Sequence, residues 1–224
     1  MKRLRSILTF IITLLIPIIL LLTSIWIVMT PLYPVIEYNR PGFPVDEFGF
    51  SKTDRLKYGQ ISIQYLLNNR DISFLSEQKL ADGTPLYNER ELSHMLDVKN
   101  LVQASIKAWL LLIGILIVAT ILAFWQKWMS AYWRAVARGG WVAVGLVVFI
   151  IAAVLISFTA LFTGFHDIFF KGDTWLFLYT DSLIRLFPMP FWEDAFIYVG
   201  AITLLGGLLA AIGGKKLAKR AEKG

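Results

Sequence analysis

Four apolar runs alternate with polar stretches along the 224 residues of the chain. They cover residues 7–29, 101–125, 141–162 and 195–212. At about 1.5 Å per helical residue, each is long enough, or nearly so, to cross the hydrocarbon of a bilayer. A cleaved signal peptide is the competing reading of the first run. That run is too long for an ordinary signal core, and Thr30-Pro31-Leu32-Tyr33 offers no small-residue cleavage site. The pattern predicts an all-α integral membrane protein, one membrane domain over 1–224, with four transmembrane helices. A small cap over 30–100 and an aromatic loop over 163–194 lie outside the membrane.

The polar stretches carry their own signals. Pro31, Pro34, Pro41 and Pro44 punctuate residues 30–48, which predicts an irregular or extended segment there. Ser51 or Thr53 is placed to cap a helix running from Asp54 towards Asn68. Asp82-Gly83 marks a turn. From Asn88 to Ile113 there is neither glycine nor proline, so one helix should begin in the cap and continue as the second span. Asn88 suits its N-cap, with Glu91 three residues on as the reciprocal partner. Residues 175–187 are apolar but short and hold Asp181 and Arg185, which predicts a segment lying in the membrane interface or re-entering it. Gly200, Gly206 and Gly207 in the fourth run allow close helix contacts.

Composition and charge sharpen this layout. Apolar residues make up 57% of the chain and its mean hydropathy is +0.62, well above the soluble average. There is no cysteine, which excludes disulfides, thiolate nucleophiles and cysteine metal sites. The net charge of +6 is concentrated in three short segments: Lys2, Arg3 and Arg5; Lys127, Arg134 and Arg138; and Lys215, Lys216, Lys219, Arg220 and Lys223. Glu222 is the only acid among them. Positive segments remain on the cytoplasmic side, so both termini should be cytoplasmic and the cap extracytoplasmic. The basic balance is therefore a topology signal, and nucleic acid is not an expected partner.

Only two histidines occur, His94 and His166, and the topology puts both on the outer side beside a span. Glu91 and Asp97 lie three residues to either side of His94, on roughly one helix face. Asp167 and Asp173 are near His166. A carboxylate can orient an imidazole and raise its basicity, so these acids are candidate orienters. No G-x-S-x-G, Ser-x-x-Lys, H-E-x-x-H or phosphate-binding glycine loop competes with them. The spacing is not diagnostic of metal, and no cofactor is called for. Lys107 is the single charge within the spans, which makes a poor ion pathway.

Three stretches carry a resemblance: EFGFSKTDRLKYGQISIQYL, NERELSHMLDVKNL, and FTGFHDIFFKGDTWLFLYTDSLIRLFP followed by FWEDAF. With the four-span order they resemble the bacterial lipoprotein intramolecular transacylases over most of the chain. Leu178-Tyr179 and Met189 depart from the pattern expected there. The resemblance implies a bacterial cell-membrane acyltransferase. Its substrate is a membrane lipoprotein whose N-terminal cysteine carries a thioether-linked diacylglyceryl group. The sn-2 acyl chain moves to the cysteine α-amino group, giving a lyso-form lipoprotein. His94 and His166 map onto the catalytic pair, with the division of base and acid open. Asp54, Arg55 and Tyr58 are expected on the cap side of the site, and Trp175 and Asp181 on the loop side. A non-catalytic adaptor with a partner-binding cap, and a metal-dependent membrane hydrolase, are the alternatives.

Overall fold

The structure, a computed structural model, describes residues 2–223. Eight helices follow in order: α1 Lys2–Val28, α2 Leu32–Tyr38, α3 Lys52–Leu67, α4 Ser73–Ser76, α5 Glu89–Trp125, α6 Met129–Phe169, α7 Ser182–Leu186 and α8 Met189–Arg220. No named strand occurs among the described residues, only an isolated bridge between Lys79 and Pro85. α1, α5, α6 and α8 are each long and apolar enough to cross a membrane, and they contain the four apolar runs.

The chain divides into two compact units. The first comprises residues 2–27, 106–156 and 197–223. Its interior mixes small and large residues: Ala123, Ala135 and Ala143 are fully buried, beside Ile12, Ile16, Trp128 and Tyr132. Many other large apolar side chains point outwards, as lipid-facing residues do: Phe149 is 72% and Leu155 81% exposed. Gly139-Gly140 is the tightest point. A Cβ on Gly139 would lie 2.6 Å from Ile16 Cβ, and one on Gly140 would lie 2.5 Å from both Ala211 N and Gly207 O. The pair thus lets α6 press against α1 with one residue and α8 with the next. Gly207 meets Gly140 in the α6–α8 contact and Gly206 meets Leu20 of α1, whereas Gly200 meets Val147 only loosely. Trp109 donates to the Thr23 hydroxyl at 3.0 Å, and Thr203 donates to that of Ser24 at 2.8 Å.

The second unit comprises residues 28–105 and 157–196. Its start is not irregular: Leu32–Tyr38 is a helix. Pro31 takes the N-cap position and Pro34 falls in the first turn, where a missing N–H costs nothing. Tyr33 and Tyr38 on this helix are buried and donate to the carbonyls of Phe191 and Leu186, at 2.6 and 2.5 Å. Ser51 caps α3 in a complete capping box with Asp54, so the helix starts two residues earlier than Asp54. Residues 175–187 contain no long helix. They make tight turns and then the five-residue α7.

Candidate functional site

Both histidines sit on helices that continue past the apolar runs. α5 begins five residues before His94 and runs without interruption into the second run. α6 extends beyond the third run to Phe169, so His166 lies on a helix and not in the loop expected there. By helical rise, His94 stands about 10 Å and His166 about 6 Å from the nearer end of its run. The two heights are therefore compatible without a rising loop. α6 also contains a break. Ser157 is extended (φ −165°, ψ 99°), and its hydroxyl accepts from the N–H of Ala160 at 3.2 Å. The outer segment carrying His166 thus has its own capped start.

The rings of His94 and His166 face each other with centroids 5.9 Å apart and planes 22° from parallel. Both residues are buried, at 5% and 9% exposure. An aromatic box encloses them. Phe170 and Phe177 stand edge-on to His94 at 4.9 and 5.4 Å. Phe162 and Trp175 tilt over His166 at 4.2 and 4.8 Å. Trp175 is thus beside the pair, where the resemblance expected it. Phe162, Phe170 and Phe177 belong to the aromatic richness of this part of the sequence, but no spacing singled them out.

The hydrogen bonding is unequal. Nδ1 of His166 lies 2.8 Å from the carbonyl oxygen of Phe162, one helical turn back. A carbonyl only accepts, so Nδ1 carries the proton, and in the neutral ring Nε2 holds the free lone pair. Nδ1 of His94 is buried with no hydrogen-bond partner. Burial, and secondarily the neighbouring His166, pushes the pKa of His94 down from 6.5 to about 4. Burial also lowers His166, opposed by the Phe162 carbonyl and the charge of Asp167. Burial thus favours the uncharged form of both rings.

No carboxylate among the described residues hydrogen-bonds to either ring. Glu91 is 1% exposed, and its two oxygens are engaged elsewhere. One accepts from the Asn88 N–H at 2.8 Å in the capping box of α5, and the other from the Leu183 N–H at 2.6 Å. Burial raises its pKa against the lowering by those two bonds. Asp97 is exposed and has no hydrogen bond or ion pair among the described residues. Asp181 accepts from the Asn88 side chain at 3.1 Å and the Leu178 N–H at 2.8 Å. Arg90 donates to the Leu176 carbonyl at 3.0 Å. Three residues at the start of α5 (Asn88, Arg90 and Glu91) therefore pin the loop that carries Trp175.

The cap residues are similarly committed. Asp54 closes the α3 capping box, Tyr58 donates to the Lys79 carbonyl at 3.0 Å, and Arg55 donates to the Pro44 carbonyl at 2.7 Å. Arg55 also lies over Tyr38 and Phe43, at 5.0 and 4.9 Å from their ring centroids. These three build the cap, and among the described residues none hydrogen-bonds to either imidazole. Arg185, which the sequence marked only as a charge within residues 175–187, pairs through its guanidinium with Asp46 at 3.0 Å and stacks 3.6 Å from the Phe50 ring centroid. It joins α7 to the segment before α3. Among the described residues no group of three His, Asp or Glu side chains gathers as a metal-donor set.

Known proteins bear on this arrangement. The family model for the lipoprotein intramolecular transacylase Lit matches residues 8–192. An uncharacterized protein of Aquifex aeolicus (strain VF5) is 28% identical over 186 residues, covering 82% of this chain and 83% of that one. The in meso structure of the membrane integral lipoprotein intramolecular transacylase Lit from Bacillus cereus superposes with a TM-score of 0.83 at 18% identity, covering all of both chains. A variant of that protein with a histidine replaced by arginine gives 0.75, also at 18% identity, covering 99% of this chain and 95% of that one. The match over most of its length shows that the chain belongs to the lipoprotein intramolecular transacylase family and is a membrane-integral, multi-pass enzyme of that kind.

Proposed function

We propose that this enzyme moves the sn-2 acyl chain of a diacylglyceryl lipoprotein to the α-amino group of its N-terminal cysteine, with His166 and His94 handling the protons. The observation that carries the reading is the pair itself: two buried imidazoles 5.9 Å apart in an aromatic box, one with its tautomer fixed. As the amine attacks the ester carbonyl, a C–N bond forms and the amine proton passes to Nε2 of His166. The C–O bond to the glyceryl carbon's oxygen then breaks, and the His166 imidazolium returns the proton to that oxygen. Atoms and charge balance without a further reactant. His94, neutral through burial, donates its N–H to the departing oxygen. The substrate thus satisfies a ring whose Nδ1 has no partner among the described residues.

The physical chemistry supports this division. An α-amino group has a pKa of about 7.7–8.0, within reach of an imidazole base. Attack closes a ring of about eight atoms, which is entropically awkward, so confinement between rigid aromatic walls can contribute several kcal/mol. The same walls exclude the water that would hydrolyse the ester. A protonated pair is restrained to one proton, because the charge of His166 disfavours a second on His94. The site is read as extracytoplasmic from the distribution of lysine and arginine, with both termini cytoplasmic.

Mass spectrometry of a reporter lipoprotein, expressed with and without this protein, tests the proposal. Conversion of the diacyl form to the N-acylated lyso form is expected with the wild type. It should be lost in His94→Ala and His166→Ala variants that remain folded. Full conversion by both variants would overturn the assignment.

A further inference from the structure

The four-helix unit contains a cleft that the transacylase reaction does not use. It has a volume of about 310 Å³ and is lined by Trp141, Ala211, Ile212, Lys215, Lys216 and Lys219. That is at the small end of the roughly 300–1,000 Å³ typical of ligand sites. Its position follows from the sequence. Trp141 opens the third apolar run and Ile212 closes the fourth, so the cleft lies at one membrane edge. The backbones of α6 and α8 touch at Gly140 and again at Gly214, whose Cβ would lie 2.9 Å from Trp133 O. This close approach brings the α6 tryptophan alongside the α8 lysines.

The chemistry of the lining is divided. Ala211 and Ile212 make an apolar floor, and Trp141 is 56% exposed with an indole suited to the headgroup layer. Three ammonium groups stand above them. None has a carboxylate within ion-pair distance among the described residues. Glu222 feels the charge of Lys219, but it is ion-paired with Arg134 and accepts from Ser130. Lysines near a helix C-terminus also complement the helix dipole, and that alone needs no cavity. Convergence of three unpaired lysines and a tryptophan on one cleft at a membrane edge is what a phosphodiester with attached acyl chains fits.

We propose that this cleft binds the headgroup phosphate of an anionic phospholipid, with the three lysines around the phosphate, the glycerol region over Ala211 and Ile212, and Trp141 at its side. The full chain is purified in neutral detergent. Retention of phosphatidylglycerol, phosphatidylcholine and inorganic phosphate is then measured by native mass spectrometry. The wild type should retain phosphatidylglycerol over phosphatidylcholine and should not retain inorganic phosphate, which lacks the apolar part. Each lysine near a membrane surface is worth on the order of fivefold in anionic lipid affinity, so a K215Q/K216Q/K219Q variant should lose on the order of a hundredfold. A K2Q/R3Q/R5Q variant removes the same charge from the other basic terminus and should retain lipid as the wild type does. Trp141→Leu should weaken retention without changing net charge. Equal retention of both lipids, or equal loss in the two triple variants, would overturn the proposal and leave only diffuse attraction.

Discussion

Glu91→Gln separates two roles that a buried glutamate near a catalytic histidine can play. The carboxylate is 1% exposed and accepts two backbone N–H groups, those of Asn88 at 2.8 Å and Leu183 at 2.6 Å. Glutamine has the same shape but only one acceptor oxygen, so its NH₂ must face one of these donors. A buried donor left unpaired costs about 1–3 kcal/mol. Removing a charge whose burial raises its own pKa offsets part of this. The expected net loss is about 2 kcal/mol, since the two effects oppose. For a chain of this size that lowers the unfolding midpoint by about 4–8 °C. Tryptophan fluorescence during heating in detergent measures it. Activity should fall because the loop bearing Trp175 loosens, while the pH dependence of the remaining activity should not move. A shifted pH profile with an unchanged midpoint would refute the reasoning, since it would place Glu91 on the imidazole and not on the loop.

Five further outcomes are expected. His94 has a folded pKa of about 4 against 6.5, so below pH 6.5 the unfolded chain binds the proton that the folded chain refuses. Its contribution to stability is therefore full above pH 6.5 and declines as pH falls towards 4, by at most about 3 kcal/mol; His94→Asn should flatten the unfolding midpoint across that window. His166→Gln, which lacks a basic nitrogen, should lose about 10²–10⁴-fold in turnover of a diacylated lipopeptide. His94→Gln keeps an N–H donor and should retain measurably more activity than His94→Ala. Trp175→Ala opens the wall 4.8 Å from His166, so the ratio of released fatty acid to transferred acyl chain should rise in the product analysis. Gly140→Ala places a methyl 2.5 Å from two backbone atoms of α8 and should destabilise the protein by about 1–3 kcal/mol in the same heating assay, without altering the pH profile.

The long-range plan of this protein is written in hydropathy, because a membrane requires uninterrupted apolar helices and leaves them easy to see. The continuity of α5 was equally legible, since nothing between Asn88 and Ile113 can stop a helix. α2 was hidden by prolines that read as breakers but occupy the one place in a helix that tolerates them. The histidines could be paired by topology. Their neighbours could not be assigned, because a glutamate three residues before a histidine is also three residues after an N-cap asparagine. The capping role took one of its oxygens, and an amide at the start of α7 took the other. That donor, Leu183, lies 92 residues away in sequence and carries no local signal. The Gly139-Gly140 contact was missed for a similar reason: a small-residue pair reveals which helix it meets only once the bundle is assembled.

The central claim is that the acyl chain stays within one substrate molecule and passes from oxygen to nitrogen under the two histidines. A synthetic diacylglyceryl-cysteine lipopeptide with a deuterated sn-2 chain, mixed with an unlabelled lipopeptide of different peptide mass, tests it directly in one incubation with the purified enzyme. Tandem mass spectrometry should find the deuterated chain as an N-terminal amide on its own peptide only, with a free glyceryl hydroxyl in the same molecule. Label released as free fatty acid, or found on the other peptide, would contradict the account.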